Sequence, residues 1–424
     1  MDRRVVVTGM GVCSPLGIGL EAFTNALQTR QVGIRFQPEL EALKFGCQIA
    51  GKPIINKDIL EQYFTSIQQK SLKSTGLVYG VVAGVDAWKD AGLPVHAEGE
   101  PDWDSGIIFG TGILGVDKFR EAIYMVDQGQ VRRLGSTSVI QTMASGISAY
   151  LGGILGCGNQ VTTNSSACTT GTEGLIMAFD RIQFNKAERI LVGSCSDSGP
   201  YVWGGFDAMR ILPRKYNDNP EEGSRPLSAS ASGFVPGSGA GALVLESLES
   251  AKARGADIYA EILGGCINSG GHRNGGSMTA PNSIAVQRCI REAVNNSGIS
   301  TEDIDLINGH LTATSKDPVE IKNWSEALNR TGSSFPYINS FKGHMGHCLA
   351  AAGSLECVGA LLQFREGEIF ANVNCEDLHP EIASMVDPAK IPTQGIARAP
   401  EIIAKASFGF GDVNACIIFK AYNP

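Results

Sequence analysis

The chain has few of the features that mark membrane, secreted or nucleic-acid-binding proteins. Charged residues make up only 18% of its 424 residues, and acidic residues outnumber basic ones by 43 to 35, for a formal net charge of −8. Such a surface argues against non-specific nucleic-acid binding. No apolar run approaches the length of a membrane span. We therefore expect no nucleic-acid partner and no membrane, and the N-terminal residues predict a first core strand instead of a signal peptide.

The eleven cysteines follow no pairing pattern. They form neither C-x-x-C pairs nor zinc-ligand spacing, so a reducing, cytoplasmic compartment fits better than a disulfide framework. A Walker-type phosphate loop is also missing, which leaves phosphoryl transfer without support. The glycines of Gly110 to Gly115 fit the dinucleotide spacing, but no second βαβ unit or ribose-binding acid accompanies them. The sequence therefore does not favour a dinucleotide-binding site.

Strand-like and helix-like segments alternate along the chain. A β-branched run at Val5–Val7 opens it, and a long helical pattern extends from about Leu72 to Ala91. The chain is too long for one simple core, and a polar connector at 247–255 divides it near the middle. Each half opens and closes on a strand with helices between. The sequence therefore predicts duplicated α/β halves, residues 1–250 and 251–424.

One short stretch combines a strand end, small residues and a cysteine. Gln160–Thr163 predicts a strand, and apolar residues at helical spacing from Leu175 predict a buried helix that starts near Cys168. At such a junction the helix dipole favours a thiolate and lowers the thiol pKa. Free N–H groups of the first helical turn also suit an oxyanion hole. Cys168 is a candidate nucleophile, although most free cysteines are small buried hydrophobes.

Two of the six histidines lie where strands are predicted to end in the second half. His310 stands in a hydroxyl-rich loop, and His347 precedes an alanine-rich helix. With Cys168 they have the layout for a thiolate that attacks a carbonyl with two imidazoles beside it. Taken singly, each histidine would more often be structural, as we expect for His344 and His379. His344 and His347 also have metal spacing, but without a nearby acidic or histidine partner we predict no metal.

Seven segments form an ordered set along the chain. They are Val6–Gly11, Ser166–Cys168, Gly205–Arg210, Ser224–Pro226, His310–Thr314, Lys342–His347 and Ser407–Gly411. In this order they resemble the β-ketoacyl-acyl-carrier-protein synthases, the elongating ketosynthases of the Cys-His-His type. The resemblance runs essentially end to end. It implies the thiolase fold, an α/β architecture with duplicated halves in a five-layer αβαβα sandwich, and a homodimer.

The resemblance further implies an acyltransferase that performs a decarboxylative Claisen condensation. Cys168 would take an acyl chain from acyl carrier protein, with the N–H groups of Cys168 and Phe408 as the oxyanion hole. His310 and His347 would stabilise the enolate formed when malonyl carrier protein loses CO2, and the chain would grow by two carbons. The product would be a fatty-acid or a polyketide or polyene chain. No cofactor is implied, because phosphopantetheine of the carrier protein holds the substrates.

Supporting roles follow from the same resemblance. Lys342 is expected to pair with Glu320 and hold the histidine loop, and Phe408 is expected to act as a mobile gate beside the cysteine. Without the resemblance, these would be a solvated lysine and a core phenylalanine. The remaining expected residues are Ile113 and Phe206 in the acyl channel, Thr312 and Thr314 along the phosphopantetheine arm, and Arg132, Arg133 and Arg210 in the carrier-protein rim.

The sequence departs from the family pattern at five notable positions. Ser228, Ser232 and Ser238 stand at acidic positions, and Leu311 and Asp412 replace glycines. None of these positions belongs to the Cys-His-His set. They nevertheless put an ordinary housekeeping fatty-acid role in question and suggest a divergent branch.

Other protein classes remain open alternatives. A non-catalytic or weakly catalytic chain-length partner of another ketosynthase would form a heterodimer. Such partners lack the cysteine, but the serine substitutions keep this alternative open. A degradative thiolase needs a second cysteine in a C-terminal glycine-rich motif, which neither Cys348 nor Cys416 fits. A Cys-His hydrolase needs one histidine with an orienting Asn or Asp, and no second histidine.

Overall fold

The computed structural model describes residues 3–95 and 99–423, which form thirteen β-strands and sixteen α-helices. The strands are β1 (Val5–Ser14), β2 (Gly17–Ile18), β3 (Ile34–Phe36), β4 (Ile49–Gly51), β5 (Ser105–Thr111), β6 (Val161–Thr162), β7 (Arg189–Ser196), β8 (Gly239–Ser247), β9 (Ala260–Ser269), β10 (Leu306–Asn308), β11 (Tyr337–Asn339), β12 (Ile402–Gly409) and β13 (Val413–Ala421).

The helices of the first half are α1 (Leu20–Gln28), α2 (Pro38–Ala42), α3 (Lys57–Tyr63), α4 (Ser66–Ser71), α5 (Thr75–Asp90), α6 (Val116–Asp127), α7 (Ser138–Thr142), α8 (Gly146–Leu155), α9 (Thr170–Gln183) and α10 (Pro200–Ala208). The connector and second half contain α11 (Leu248–Ala253), α12 (Ser283–Asn296), α13 (Asp317–Leu328), α14 (Lys342–Met345), α15 (Ala352–Glu366) and α16 (Pro380–Met385).

The main sheet repeats one strand pattern twice. Its order is β11-β10-β12-β13-β9-β1-β8-β7-β5-β6, with β2 beside β1, while β3 and β4 pair separately. Numbered within its own half, each set of five strands has the order third, second, fourth, fifth, first. In both halves the second strand is parallel to its two neighbours and the fifth is antiparallel to its two neighbours. This repetition of order and direction is the duplication that the sequence predicts.

Helices form three layers around the two half-sheets. Helices α9 and α15 lie in the middle, where they contact strands of both halves. Helices α5 and α8 cover the outer face of the first half, and α12 and α13 cover that of the second, each over its own apolar cluster. The result is the five-layer αβαβα sandwich. Among the described residues, none of the helices has both the length and the apolar character needed to cross a bilayer.

The predicted boundary falls within α11, but the two halves share one core. Val5 of β1 pairs with Ile262 of β9 across the middle of the sheet, and the largest apolar cluster draws on strands and helices from both sides. The division of the chain into two domains, residues 1–250 and 251–424, remains a prediction. They also include residues 1–2, 96–98 and 424, which lie outside the described residues.

The two middle helices touch backbone to backbone near their N-termini. A Cβ added to Gly171 of α9 would lie 2.3 Å from the backbone nitrogen of Ser354, and one added to Gly353 of α15 would lie 2.6 Å from that of Thr172. Only glycine permits this approach, because backbone atoms cannot turn aside as a flexible side chain can. The contact therefore fixes the separation of the two helix N-termini, each of which follows a candidate site residue.

We expect Gly353→Ala to lower the melting temperature by several degrees. The added methyl group would force the helices apart, at a cost of about 1–3 kcal/mol for an overpacked core. Calorimetry would measure the change. Gly205→Ala is the matched control, because Gly205 is an exposed helical glycine whose Cβ would meet nothing within 4 Å. An unchanged melting temperature in Gly353→Ala would contradict the constraint.

Candidate functional site

The three residues singled out from the sequence meet in one place. Cys168, His310 and His347 line a cavity of about 550 Å³. The Cys168 sulfur and one ring nitrogen of each histidine all lie within 4.8 Å of one another. The histidine ring centroids are 5.3 Å apart with their planes at 84°. A substrate atom placed beside the sulfur can thus meet both imidazoles.

Cys168 lies on a strained turn between β6 and α9. The turn is a short 3₁₀ helix, Ala167–Thr169. Ala167 has a φ of 51°, a left-handed conformation that costs a non-glycine residue about 1–2 kcal/mol. Opposite this turn, a Cβ on Gly409 would lie 3.2 Å from the backbone nitrogen of Cys168. The end of β12 therefore passes close beside the cysteine and helps to enclose the site.

Burial holds the Cys168 thiol in its protonated form. The residue is partly exposed through the cavity, but the protein around its sulfur raises the pKa of the thiol to about 11. The Lys342 ammonium and the backbone N–H groups of Phe410 and Cys168 act in the opposite direction. The expected low pKa is therefore wrong, because the loss of hydration outweighs the groups that favour the thiolate.

Neighbouring donors define the tautomer of both histidines. Nδ1 of His310 lies 3.4 Å from Nζ of Lys342, and Nδ1 of His347 accepts a hydrogen bond from the Leu349 N–H at 3.2 Å. An ammonium can only donate, so both Nδ1 atoms are acceptors and both ring protons lie on Nε2. Burial, followed by the Lys342 ammonium, lowers both histidine pKa values well below the usual range. Both are therefore neutral Nε2–H donors, suited to a developing oxyanion.

Lys342 pairs with Glu356, so the predicted pair with Glu320 is wrong. The Lys342 ammonium donates to Oε1 of Glu356 in the protein interior. The two oxygens of Glu320 instead accept the backbone N–H groups of His310 and Leu311, each at 2.7 Å. Burial raises the pKa of Glu320 to about 7. Glu320 therefore supports the His310 loop through backbone amides, without a lysine.

The backbone donor beside the Cys168 sulfur belongs to Phe410, two residues after the predicted Phe408. The Phe410 N–H is the second backbone donor that faces the Cys168 sulfur. Phe408 instead pairs with Asn414 in the sheet, and its ring centroid lies 6.1 Å from that of His310. Phe410 stands in the turn after β12. The prediction is wrong by two positions because the segment repeats the dipeptide Phe-Gly, and only the end of the strand distinguishes the two copies.

The other predicted substrate-binding residues surround the same cavity. Its lining includes Ile113, Phe206, Thr312 and Thr314. The predicted docking residues Arg132, Arg133 and Arg210 are all exposed, and Arg210 adjoins the cavity-lining Ile211. The roles of these residues stay predictions.

The serine departures lie outside the cluster. Ser228 donates to Asp377, which also pairs with Arg225 at 3.0 Å. Ser238 is fully buried, and the Ser232 hydroxyl has no hydrogen-bond partner among the described residues. None of the three serines lines the cavity. The Cys-His-His geometry therefore stands without the acidic residues of the family pattern.

Two buried charged residues, Asp412 and Lys405, were given no role from the sequence. The Asp412 carboxylate accepts the backbone N–H groups of Asn282 at 2.8 Å and His272 at 3.1 Å, which ties the turn after β12 to a loop that reaches the cavity. Lys405, in the centre of β12, places its Nζ 2.8 Å from Oε2 of Glu356. The available signal was a lysine inside a strand whose other residues, except Ser407, are apolar.

The same three site residues also carry the donor types of a soft metal site. Within the described residues they are the one set of three histidine, cysteine or acidic side chains whose donor atoms come so close. Zinc requires a thiolate and an unprotonated imidazole nitrogen. Here the thiol is protonated, and both imidazoles hold their proton on the nitrogen that is left free. The cluster therefore fits an oxyanion better than a metal, and the absence of metal and cofactor stays a prediction.

Comparisons with known proteins agree over the whole chain. The model of the β-ketoacyl synthase N-terminal domain matches residues 2–251, and that of the C-terminal domain matches residues 259–376. The chain is 32% identical to the chloroplastic 3-oxoacyl-[acyl-carrier-protein] synthase I of Arabidopsis thaliana, over 100% of this chain and 87% of that protein. It is also 32% identical to 3-oxoacyl-[acyl-carrier-protein] synthase 2 of Vibrio cholerae, over 99% of each.

A solved structure supports the fold independently. It is a ketosynthase of a type II polyketide synthase in complex with its acyl-carrier protein. The two folds superpose with a TM-score of 0.87 at 26% identity over 100% of both chains. The predicted fold class is confirmed.

We expect the alkylation rate of Cys168 to keep rising between about pH 7 and pH 9.5, roughly tenfold per unit, because the thiolate reacts and its pKa is raised. Timed iodoacetamide labelling and mass spectrometry of the Cys168 peptide would measure it. Cys168→Ser controls for labelling at other sites. A plateau below about pH 8 would show that the thiol pKa is lower than an ordinary thiol's.

Proposed function

Because the chain belongs to the β-ketoacyl synthase family, we propose that it performs a decarboxylative Claisen condensation. An acyl group on Cys168 would react with malonyl-acyl carrier protein, and a fatty-acid or polyketide or polyene chain would grow by two carbons. The observation that carries the proposal is the convergence of one thiol and two neutral imidazoles in one cavity, where the sulfur and one ring nitrogen of each histidine lie within 4.8 Å of one another.

The first half-reaction loads the cysteine. The Cys168 sulfur attacks the acyl thioester of the carrier protein, and the backbone N–H groups of Cys168 and Phe410 would hold the resulting oxyanion. The phosphopantetheine sulfur then leaves and takes the proton that the cysteine has lost. The raised thiol pKa means that only a small fraction of Cys168 is ionised at neutral pH, so the Lys342 charge matters for this step.

The second half-reaction uses the histidines. The bond between the malonyl carboxylate and its carbon breaks, CO2 leaves, and the electron pair forms an enolate on the thioester oxygen. His310 and His347 donate their Nε2–H groups to that oxygen. The new carbon nucleophile attacks the acyl carbon on Cys168, a carbon–carbon bond forms, and the cysteine leaves as a thiolate. Decarboxylation supplies the carbanion, so no strong base is needed.

The alternative of a non-catalytic chain-length partner receives no support from the site. Cys168, which such partners lack, is present with both histidines positioned beside it. The substitutions at Ser228, Ser232 and Ser238 lie outside the cavity and leave this cluster untouched. We therefore favour an acyltransferase, with the chain type set by the apolar part of the cavity.

The proposed partners are acyl carrier protein and a second copy of the chain. A similar ketosynthase has been solved with its acyl-carrier protein, and the exposed arginines suit an acidic partner. The strand β6 ends the sheet with an open edge and an exposed Val161, which favours pairing with another copy. The same edge would serve a heterodimer with a chain-length partner. Eleven unpaired cysteines support a cytoplasmic location.

We expect Cys168→Gln to abolish condensation while decarboxylation of malonyl carrier protein continues. The variant removes the acyl acceptor but leaves both enolate-stabilising histidines. Mass spectrometry of the carrier protein would follow both reactions. Cys157→Ser, at a half-buried cysteine outside the cavity lining, is the matched control and should retain condensation. Retained condensation in Cys168→Gln would refute the assignment.

We expect the triple variant Arg132→Glu, Arg133→Glu and Arg210→Glu to raise the KM for acyl carrier protein while kcat stays unchanged. Charge reversal would oppose the acidic partner, and the effect should weaken at high salt, which screens exposed charges. Activity with a free acyl-pantetheine thioester should not change. Arg291→Glu, on an exposed position of α12, is the control. An unchanged KM would place docking elsewhere.

A further inference from the structure

Helix α15 holds one buried carboxylate between two buried lysines. Oε1 of Glu356 accepts the Lys342 ammonium, and Nζ of Lys405 lies 2.8 Å from Oε2. The three side chains are at most 1% exposed. The approach of Lys405 is off the direction of a conventional hydrogen bond to Oε2, so the contact is best described as an ion pair. Lys342, Glu356 and Lys405 form what we call the lysine cluster. It carries one net positive charge, because it contains two cations and one anion.

Lys405 is placed in the sheet where a lysine is costly. It lies in β12, between Asn308 of β10 and Ile417 of β13. Its ammonium donates to the Ala406 carbonyl and to Oγ of Ser407 at 3.2 Å. The Lys405 ammonium therefore has two hydrogen-bond acceptors, and the ion pair with Glu356 compensates its charge. A buried ion is tolerated only with such compensation, and an apolar residue of similar shape would often be as stable.

The lysine cluster contacts His310 directly and reaches the helix that follows Cys168 through one hydroxyl. Lys342 lies 3.4 Å from Nδ1 of His310. The Ser407 hydroxyl, beside the Lys405 ammonium, lies 2.9 Å from Oγ1 of Thr172 in α9, the helix that follows Cys168. Lys342 and Glu356 flank the His347 segment on α14 and α15. A change in this cluster therefore reaches the site through short contacts.

We propose that Lys405 is a positioning residue for His310. Its ammonium occupies one oxygen of Glu356, so Glu356 cannot draw the Lys342 ammonium onto both oxygens. Lys342 then stays oriented toward Nδ1 of His310 and holds the ring as the Nε2–H tautomer. The mechanistic value of that tautomer rests on the proposed condensation, but the tautomer itself does not.

The other buried charged side chains near His310 are two carboxylates, and these bind backbone groups. Asp317 and Glu320 on α13 are buried below the His310 loop, but their oxygens accept backbone N–H groups. Burial and then the Lys342 ammonium lower the pKa of His347, with Lys405 as a further cause, and Lys405 also contributes to the lowered pKa of His310. Both lysines thus favour neutral imidazoles, in agreement with the geometry.

The test replaces Lys405 by methionine, which keeps length and loses the charge. In Lys405→Met we expect both oxygens of Glu356 to bind the Lys342 ammonium, which moves it away from Nδ1 of His310. The kcat for decarboxylation of malonyl carrier protein should then fall on the order of ten- to a hundredfold with KM unchanged, as for a misplaced catalytic group. Lys420→Met, on the exposed end of β13, removes the same charge as a matched control and should change neither constant.

A spectroscopic readout separates positioning from general structural damage. With ¹⁵N-labelled histidine, assigned through His310→Gln, the wild-type His310 should show an unprotonated Nδ1 and a protonated Nε2. Lys405→Met should show a mixture of the two tautomers. A wild-type His310 signature in a folded Lys405→Met protein, or an unchanged kcat, would overturn the proposal.

A second variant keeps the question decidable when the single variant does not fold. Lys405→Met combined with Glu356→Gln removes the competing carboxylate charge, and the amide oxygen introduced by the second substitution can still accept Lys342. We expect this double variant to regain the Nε2–H signature. A mixed signature in the double variant would overturn the proposal. A wild-type chain that shows the His310 signature but neither decarboxylates nor condenses would refute the proposed function and leave this inference standing.

Discussion

The site depends on the close crossing of two helices in the middle of the molecule. Gly171 and Gly353 let α9 and α15 meet through their backbones, and each helix begins a few residues after a site residue. Larger residues at the crossing would separate the N-termini and, with them, Cys168 and His347. The duplicated halves provide the frame, because each contributes one of these helices to the shared middle layer. The geometry of the site is thus a property of the contact between halves, and of neither half alone.

Loss of water is the second constraint on the chemistry. Burial raises the pKa of the Cys168 thiol and lowers those of His310 and His347. All three effects favour the neutral form, so the resting site contains little charge of its own. Its electrostatics come from groups just behind it, above all the Lys342 ammonium and backbone N–H donors. Fixed dipoles and a fixed cation are well suited to stabilise charge that appears only during the reaction.

The departures from the family pattern lie around the site and leave its centre unchanged. Asp412 links the turn after β12 to the loop that includes His272 and Asn282, so the turn that carries Phe410 is tied down by a buried carboxylate. Ser228 and its neighbours form a separate polar network with Asp377. These departures therefore leave the cluster of Cys168, His310 and His347 intact.

Local pattern and ordered motifs determined a great deal of this protein. Strand and helix periodicity predicted the alternating elements, the duplication and the strand-to-helix junction at Cys168, because these features depend on residues that are neighbours in sequence. The motif order predicted the fold and the three residues that meet in the cavity. Only the tertiary structure decided which carboxylate receives Lys342, which phenylalanine N–H faces the sulfur, and whether the thiol pKa rises or falls. Each of these depends on distances between segments far apart in the chain, or on how much water packing excludes. A local sequence pattern determines neither the distances nor the excluded water.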